Sequence, residues 1–145
     1  LCMKPNQIKN LVHDLVKKYE TINPYQLAGS LGVIIQIGDL GELPGCYMKI
    51  CDKKFIYLND RIDDEKMREA VVAHELAHCV LHDGDYYFFS FGEQFYSNKV
   101  EIEAHTFAAE LLIPDETIIE HPGYTLNQLS SLTGYAERLV SFKRL

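Results

Sequence analysis

The chain has 145 residues, 47% hydrophobic and 24% charged, with a net charge of -7. That is the size of one ordinary domain, apolar enough for a core without a disulfide framework, and its acidic balance argues against nucleic-acid binding as the main role. No apolar run nears the roughly 18–20 residues that span a bilayer, and no signal peptide precedes the cysteines Cys2, Cys46, Cys51 and Cys79, so the expected setting is cytoplasmic, with no membrane.

Residues 6–19 place Ile8, Leu11, Val12, Leu15, Val16 and Tyr19 at helical spacing. Pro24 suits the first turn of a short helix running through Leu27, Ala28 and Leu31 to Gly32. Val33–Ile37 reads as a strand, and Gly38–Gly45, rich in glycine and holding Pro44, as a loop. Cys46–Cys51 and Lys54–Leu58 are two short strand candidates, separated by a turn at Asp52-Lys53. Cys46 and Cys51, five apart on one strand, would point to opposite faces. No second pair follows at zinc-finger spacing, so they read as ordinary buried or half-buried thiols.

From Asp64 the period changes. Met67, Ala70, Val71, Leu76, Ala77, Val80 and Leu81 predict a helix over about 64–82. Residues 84–97 break that pattern and gather Tyr86, Tyr87, Phe88, Phe89, Phe91, Phe95 and Tyr96, read as core and lid combined, with Asp83, Asp85 and Glu93 solvating the loop. A second long helix, about 98–112, stops before Pro114, which opens a short successor. Leu126–Leu132 and Tyr135–Leu145 fit two terminal helices. The expected organisation is one compact α+β domain over 1–145, in which 125–145 form a small helical C-terminal element.

The chemistry lies in His74-Glu75-Leu76-Ala77-His78, an H-E-x-x-H pattern on the first long helix. Four residues advance a helix by about 400°, so both imidazoles leave one face about one turn apart and can converge on one ion. Glu75 stands beside that face, placed to serve an attacking water as general base. The surrounding Ala73, Leu76, Ala77, Val80 and Leu81 predict a buried helix, where two histidines and a glutamate are costly without ligands or hydrogen bonds. The plainer alternatives are a solvated helix with incidental histidines and a closed structural zinc site. Two histidines, a third protein ligand and an adjacent carboxylate describe an open catalytic zinc site better.

The second long helix offers the third ligand. Glu101 and His105 share a face with Ala108 and Leu112, while Glu103 lies about 200° round from Glu101, so only one glutamate is expected to point at the HExxH helix. Glu101 is the choice, with His105 as a hydrogen-bonding partner to a ligand; Glu103 comes second as ligand and His105 third. His82 extends the spacing by one more turn. The outer pair of such an array is about 12 Å apart along the helix. His82 therefore reads as a helix C-terminal residue set against the dipole. His13 and His121 have no such context.

Two blocks carry a resemblance to a known family. Arg68–His82, around His-Glu-Leu-Ala-His, and Glu101-Ile102-Glu103-Ala104-His105-Thr106-Phe107-Ala108-Ala109-Glu110-Leu111-Leu112-Ile113-Pro114 resemble the ImmA/IrrE-type metallopeptidases, the second through an E-x-E-A-x-x-F-A-x-x-L-L-x-P pattern. In that pattern the first glutamate is the third zinc ligand, here Glu101; the position of His105 is more often Asn or Asp. Weaker similarity covers Pro24–Val33, the strand Ile56–Asn59, taken as an edge strand, and Leu126–Leu145. The resemblance implies a small zincin-like fold, a short, mostly antiparallel sheet packed on the HExxH helix and a second glutamate-bearing helix. It also implies a Zn2+-dependent endopeptidase that cuts a helix-turn-helix transcriptional repressor.

In that reading His74, His78 and Glu101 hold zinc, and Glu75 is the general base. His105, Tyr47 or Tyr96 would be the further donor to the oxyanion, and a peptide substrate would add a strand beside Phe55–Leu58. The rival from another class is a metal-binding regulatory protein that holds a repressor or senses for it without cutting. A DNA-binding reading of residues 126–145 rests only on Arg138, Lys143 and Arg144.

Overall fold

The computed structural model describes residues 3–82 and 98–144. Several of its helices start at a proline or a capping side chain. Helix α1, Pro5–Tyr19, has proline in its first turn, buries Ile8 and Val12, and ends at Glu20 in the left-handed conformation (φ 56°). Asn23 caps α2, Pro24–Ser30, by accepting the backbone N–H groups of Tyr25 at 2.9 Å and Gln26 at 3.2 Å. Asp64 does the same for α3, Glu65–Leu81, through Met67 N–H at 3.1 Å.

Three strands lie between: β1, Val33–Gly38, β2, Gly45–Ile50, and β3, Lys53–Asn59. Their order is β1-β3-β2, with β1 parallel to β3 and β2 antiparallel to it. The sheet is therefore mixed rather than mostly antiparallel. The loop after β1 steps over the width of one strand, and the β2–β3 hairpin folds β3 back into that slot. Asn59 holds the loop from the end of β3: its side-chain amide donates to the carbonyls of Gly41 (2.8 Å) and Leu43 (2.7 Å). The hairpin turn is Cys51-Asp52, one residue earlier than expected, both with positive φ (50° and 64°), the two-residue geometry whose twist matches the flanking strands. Cys51 is consequently exposed at a turn, while Cys46 and Cys79 are buried thiols.

The position of β3 overturns a further expectation. It is a central strand, paired on both sides from Lys54 to Leu58, so Phe55–Leu58 cannot receive an added peptide strand. The strand Ile56–Asn59 is not an edge.

Helix α4, Asn98–Leu112, packs along α3, with Ala104, Ala108 and Ala109 fully buried at close approach. One continuous core joins α1, the sheet and both long helices through Ile8, Val12, Ile56, Leu76, Phe107 and Leu111. Beyond α4 lie α5, Asp115–Ile119, α6, Leu126–Thr133, and α7, Glu137–Val140. Thr125 and Gln128 form a capping box on α6. Tyr135 ties this end to α3 by donating its hydroxyl to Glu69 at 2.6 Å.

The last helix is four residues long, not the predicted run to Leu145. Lys143 turns inward instead, its ammonium 2.6 Å from both Glu110 and Asp115, with Lys9 completing the cluster at 2.6 Å from Asp115. Only 2% of the Lys143 side chain is exposed, so its charge is spent inside the fold rather than offered to a phosphate. The aromatic segment 86–96, including Tyr96, lies outside the described residues. Among the described residues no helix is long and apolar enough to cross a membrane.

Candidate metal centre

Helix α3 runs with one side on β2 and β3 and the other on α4, which places His74, Glu75 and His78 between the sheet and the second helix. The two imidazoles meet edge to face, ring centres 4.9 Å apart, and their Nε2 atoms are 3.2 Å from each other. Glu101, in the first turn of α4, faces both. Its Oε2 is 3.1 Å from His74 Nε2 and its Oε1 2.9 Å from His78 Nε2.

These separations suit ligands of one ion: donors about 2.0–2.1 Å from a tetrahedral zinc stand about 3.3 Å from one another. A second observation agrees. Glu101 Oε1 is buried, 2.9 Å from His78 Nε2, and has no hydrogen-bond partner among the described residues, an orphaned acceptor that a bound cation would satisfy. Two imidazole nitrogens and a carboxylate are also the donor types of open, catalytic zinc sites. The residues present fit a divalent ion.

Electrostatics follow from burial and proximity. Burial disfavours charge on His74, but the hydrogen bond to Glu101 and the negative charges of Glu75 and Glu101 together outweigh it and raise its pKa above the usual value. His78 is pushed down to about 4 by burial, only partly offset by Glu101. Burial would lift the Glu101 carboxyl, yet its contacts with His74 and then His78 hold it well below the usual carboxylate range. Glu75 moves the other way. Burial pushes it up to about 7, against the neighbouring His74 and a hydrogen bond from the backbone N–H of Tyr47. A carboxyl with a pKa near 7 beside a cluster able to hold a metal ion is suited to accept and return a proton.

His105 sits next to His74, ring centres 4.5 Å apart and tilted by 48°, with its other face stacked on Phe142. Ligand atoms of His74, Glu101 and His105 come within 4.8 Å of one another, as do those of His74, Glu75 and His78. The His105–His74 contact is ring on ring rather than the hydrogen bond expected, and His74 Nδ1 is buried with no hydrogen-bond partner among the described residues. Burial, then the charge of His74, holds His105 down to about 4. Its imidazole is neutral at physiological pH.

Glu103 corrects the sequence reading. It also reaches α3, with Oε1 3.1 Å from His82 Nε2, and His82 Nδ1 stands 3.0 Å from His78 Nδ1. Glu101 and Glu103 flank the buried alanine stripe of α4, and because those alanines let the helices approach, both side chains are long enough to arrive. The helical angle between them was read correctly, but it does not limit reach. His82 is indeed the C-terminal cap of α3, but it is only 5% exposed and serves more than the dipole. Its spacing from His78 was the signal that it shares their face. His121 lies apart, with Nδ1 2.8 Å from the carbonyl of Thr117.

Comparison with known proteins covers most of the chain. The sequence model of a peptidase family described as the IrrE N-terminal-like domain matches residues 28–137. An uncharacterized immunity region protein 2 of Bacillus phage phi105 is 34% identical over 142 residues, covering 95% of this chain and 89% of the relative. The metallopeptidase ImmA of Bacillus subtilis (strain 168) is 29% identical over 143 residues, covering 94% of this chain and 83% of the relative.

Proposed function

The chain belongs to the ImmA/IrrE peptidase family, and on that premise we propose that it is a zinc-dependent endopeptidase acting as one catalytic unit over its 145 residues. His74, His78 and Glu101 hold the ion, and Glu75 is the general base. The observation that carries this reading is the convergence of two imidazole nitrogens and one carboxylate within 2.9–3.2 Å, with a buried glutamate alongside.

A divalent ion bound there supplies Lewis acidity toward water and a scissile carbonyl. The protein does the rest. Glu75 Oε takes a proton from the attacking water and passes it to the leaving amine, a task matched by a pKa of about 7. Tyr47 N–H steadies that carboxylate from β2. His105, neutral and beside His74, is the proposed donor to the developing oxyanion.

The proposed substrate is a helix-turn-helix repressor. Support comes from the relatives, one a metallopeptidase and the other a phage immunity region protein. The test is incubation of the zinc-loaded protein with the repressor encoded nearest to it, with products read by mass spectrometry. Discrete cuts should appear, and should vanish with a chelator and in Glu75→Gln, whose zinc content is unchanged. Tight repressor binding without any cut would make the protein a binder rather than a peptidase.

A further inference from the structure

The His78 ring is held from behind by a chain of three polar groups. Its Nδ1 lies 3.0 Å from His82 Nδ1, His82 Nε2 lies 3.1 Å from Glu103 Oε1, and Glu103 Oε2 accepts the backbone N–H of Met3 at 2.5 Å. All three side chains are buried, with His78 1%, His82 5% and Glu103 4% exposed. Buried polar groups of this kind are retained at a cost unless every member is paired.

Hydrogen-bond chemistry gives the chain one direction. A carboxylate only accepts, so His82 Nε2 must carry the proton that faces Glu103. A neutral imidazole has a single N–H, which leaves His82 Nδ1 as an acceptor. The proton between the two rings therefore belongs to His78 Nδ1. His78 is left with a bare lone pair on Nε2, the atom that faces His74 and Glu101.

We propose that His82 and Glu103 form a positioning relay that selects the metal-binding tautomer of His78 and fixes its ring, the polarity being set at the far end by Met3 N–H. This rests on the reading of His78 as a ligand. His74, whose Nδ1 has no hydrogen-bond partner among the described residues, lacks such a support there. The two histidines of the pair are thus unequal: both face Glu101, but among the described residues only His78 is also held from behind.

Glu103→Gln tests the direction. Met3 N–H still demands an acceptor, so the amide carbonyl turns to it and the amide NH2 faces His82. That reverses the relay: His82 donates from Nδ1, and His78 carries its proton on Nε2. Long-range proton–nitrogen spectra of the metal-free protein should show His78 protonated on Nδ1 in the wild type and on Nε2 in Glu103→Gln. Zinc affinity, read by competition with a chromophoric chelator, should fall roughly 10–100-fold in Glu103→Gln and in His82→Phe, which keeps a ring but removes the acceptor. An unchanged His78 tautomer in Glu103→Gln, or affinities within twofold of wild type in both variants, overturns the proposal. A wild type that binds no zinc refutes the ligand reading instead, while the tautomer measurement still reads the relay.

Discussion

Gly45, the first residue of β2, lies so close to Val71 of α3 that a methyl group at Gly45 would stand 2.7 Å from Val71 Cγ1. The same methyl would meet the carbonyl oxygen of Tyr57 at 2.9 Å and Glu75 Cγ at 3.5 Å. Glycine here is a matter of close approach, since it lets the strand that carries Tyr47 press onto the helix that carries Glu75. Gly45→Ala should cost about 1–3 kcal/mol, as overpacked sites do, and shift β2 away from Glu75. Thermal unfolding should show the loss, and any peptidase activity should drop by more than the folded fraction explains.

Asn59 makes a separate prediction. It is 4% exposed, donates to two loop carbonyls and accepts the N–H of Arg61 at 3.1 Å. Asn59→Ala leaves those groups unpaired and should destabilise the protein by about 1–3 kcal/mol. Amide exchange should quicken in residues 39–44 before it does in α3 or α4.

Metal should stabilise the fold, because an ion shared by donors on α3 and α4 binds the folded chain and not the unfolded one. At a hundredfold excess over Kd the linkage is worth about 2.7 kcal/mol, which for a chain of this size is on the order of 5–10 °C in Tm. Chelation should remove that increment. His78→Ala should show no zinc-dependent shift at all, and a shift equal to wild type would take His78 out of the ligand set.

The cluster of Lys9, Glu110, Asp115 and Lys143 predicts an acid-sensitive term. Burial pushes Asp115 up, but hydrogen bonds from Lys143 and Lys9 outweigh it and hold its pKa down to about 2, from an ordinary 3.8. A depressed carboxyl stabilises the fold above its unfolded value, and that contribution disappears as pH falls from about 4 through about 2. Because Asp115 is partly solvated the term is about 1 kcal/mol. Asp115→Asn should therefore be less stable than wild type at pH 7 and equal to it near pH 2, as measured by denaturant titration at each pH.

The sequence by itself determined the two long helices and the shared face of His74, His78 and His82. Those features depend on local rules: a period of about 3.6 residues per turn, and prolines such as Pro24 and Pro114 that mark where a helix starts or must stop. It also put Glu101 on one face with His105 and Ala108, since the angular positions of side chains around one helix can be counted. Only the tertiary structure decided what crosses between elements. It placed β3 in the middle of the sheet, because strand order depends on how far the loop after β1 travels and not on any strand's own pattern. It joined Glu103 to His82, because the alanines of α4 bring the helices close enough for a long side chain to reach round. Helical periodicity sets direction about a single axis; the distance between axes is fixed by packing from both sides.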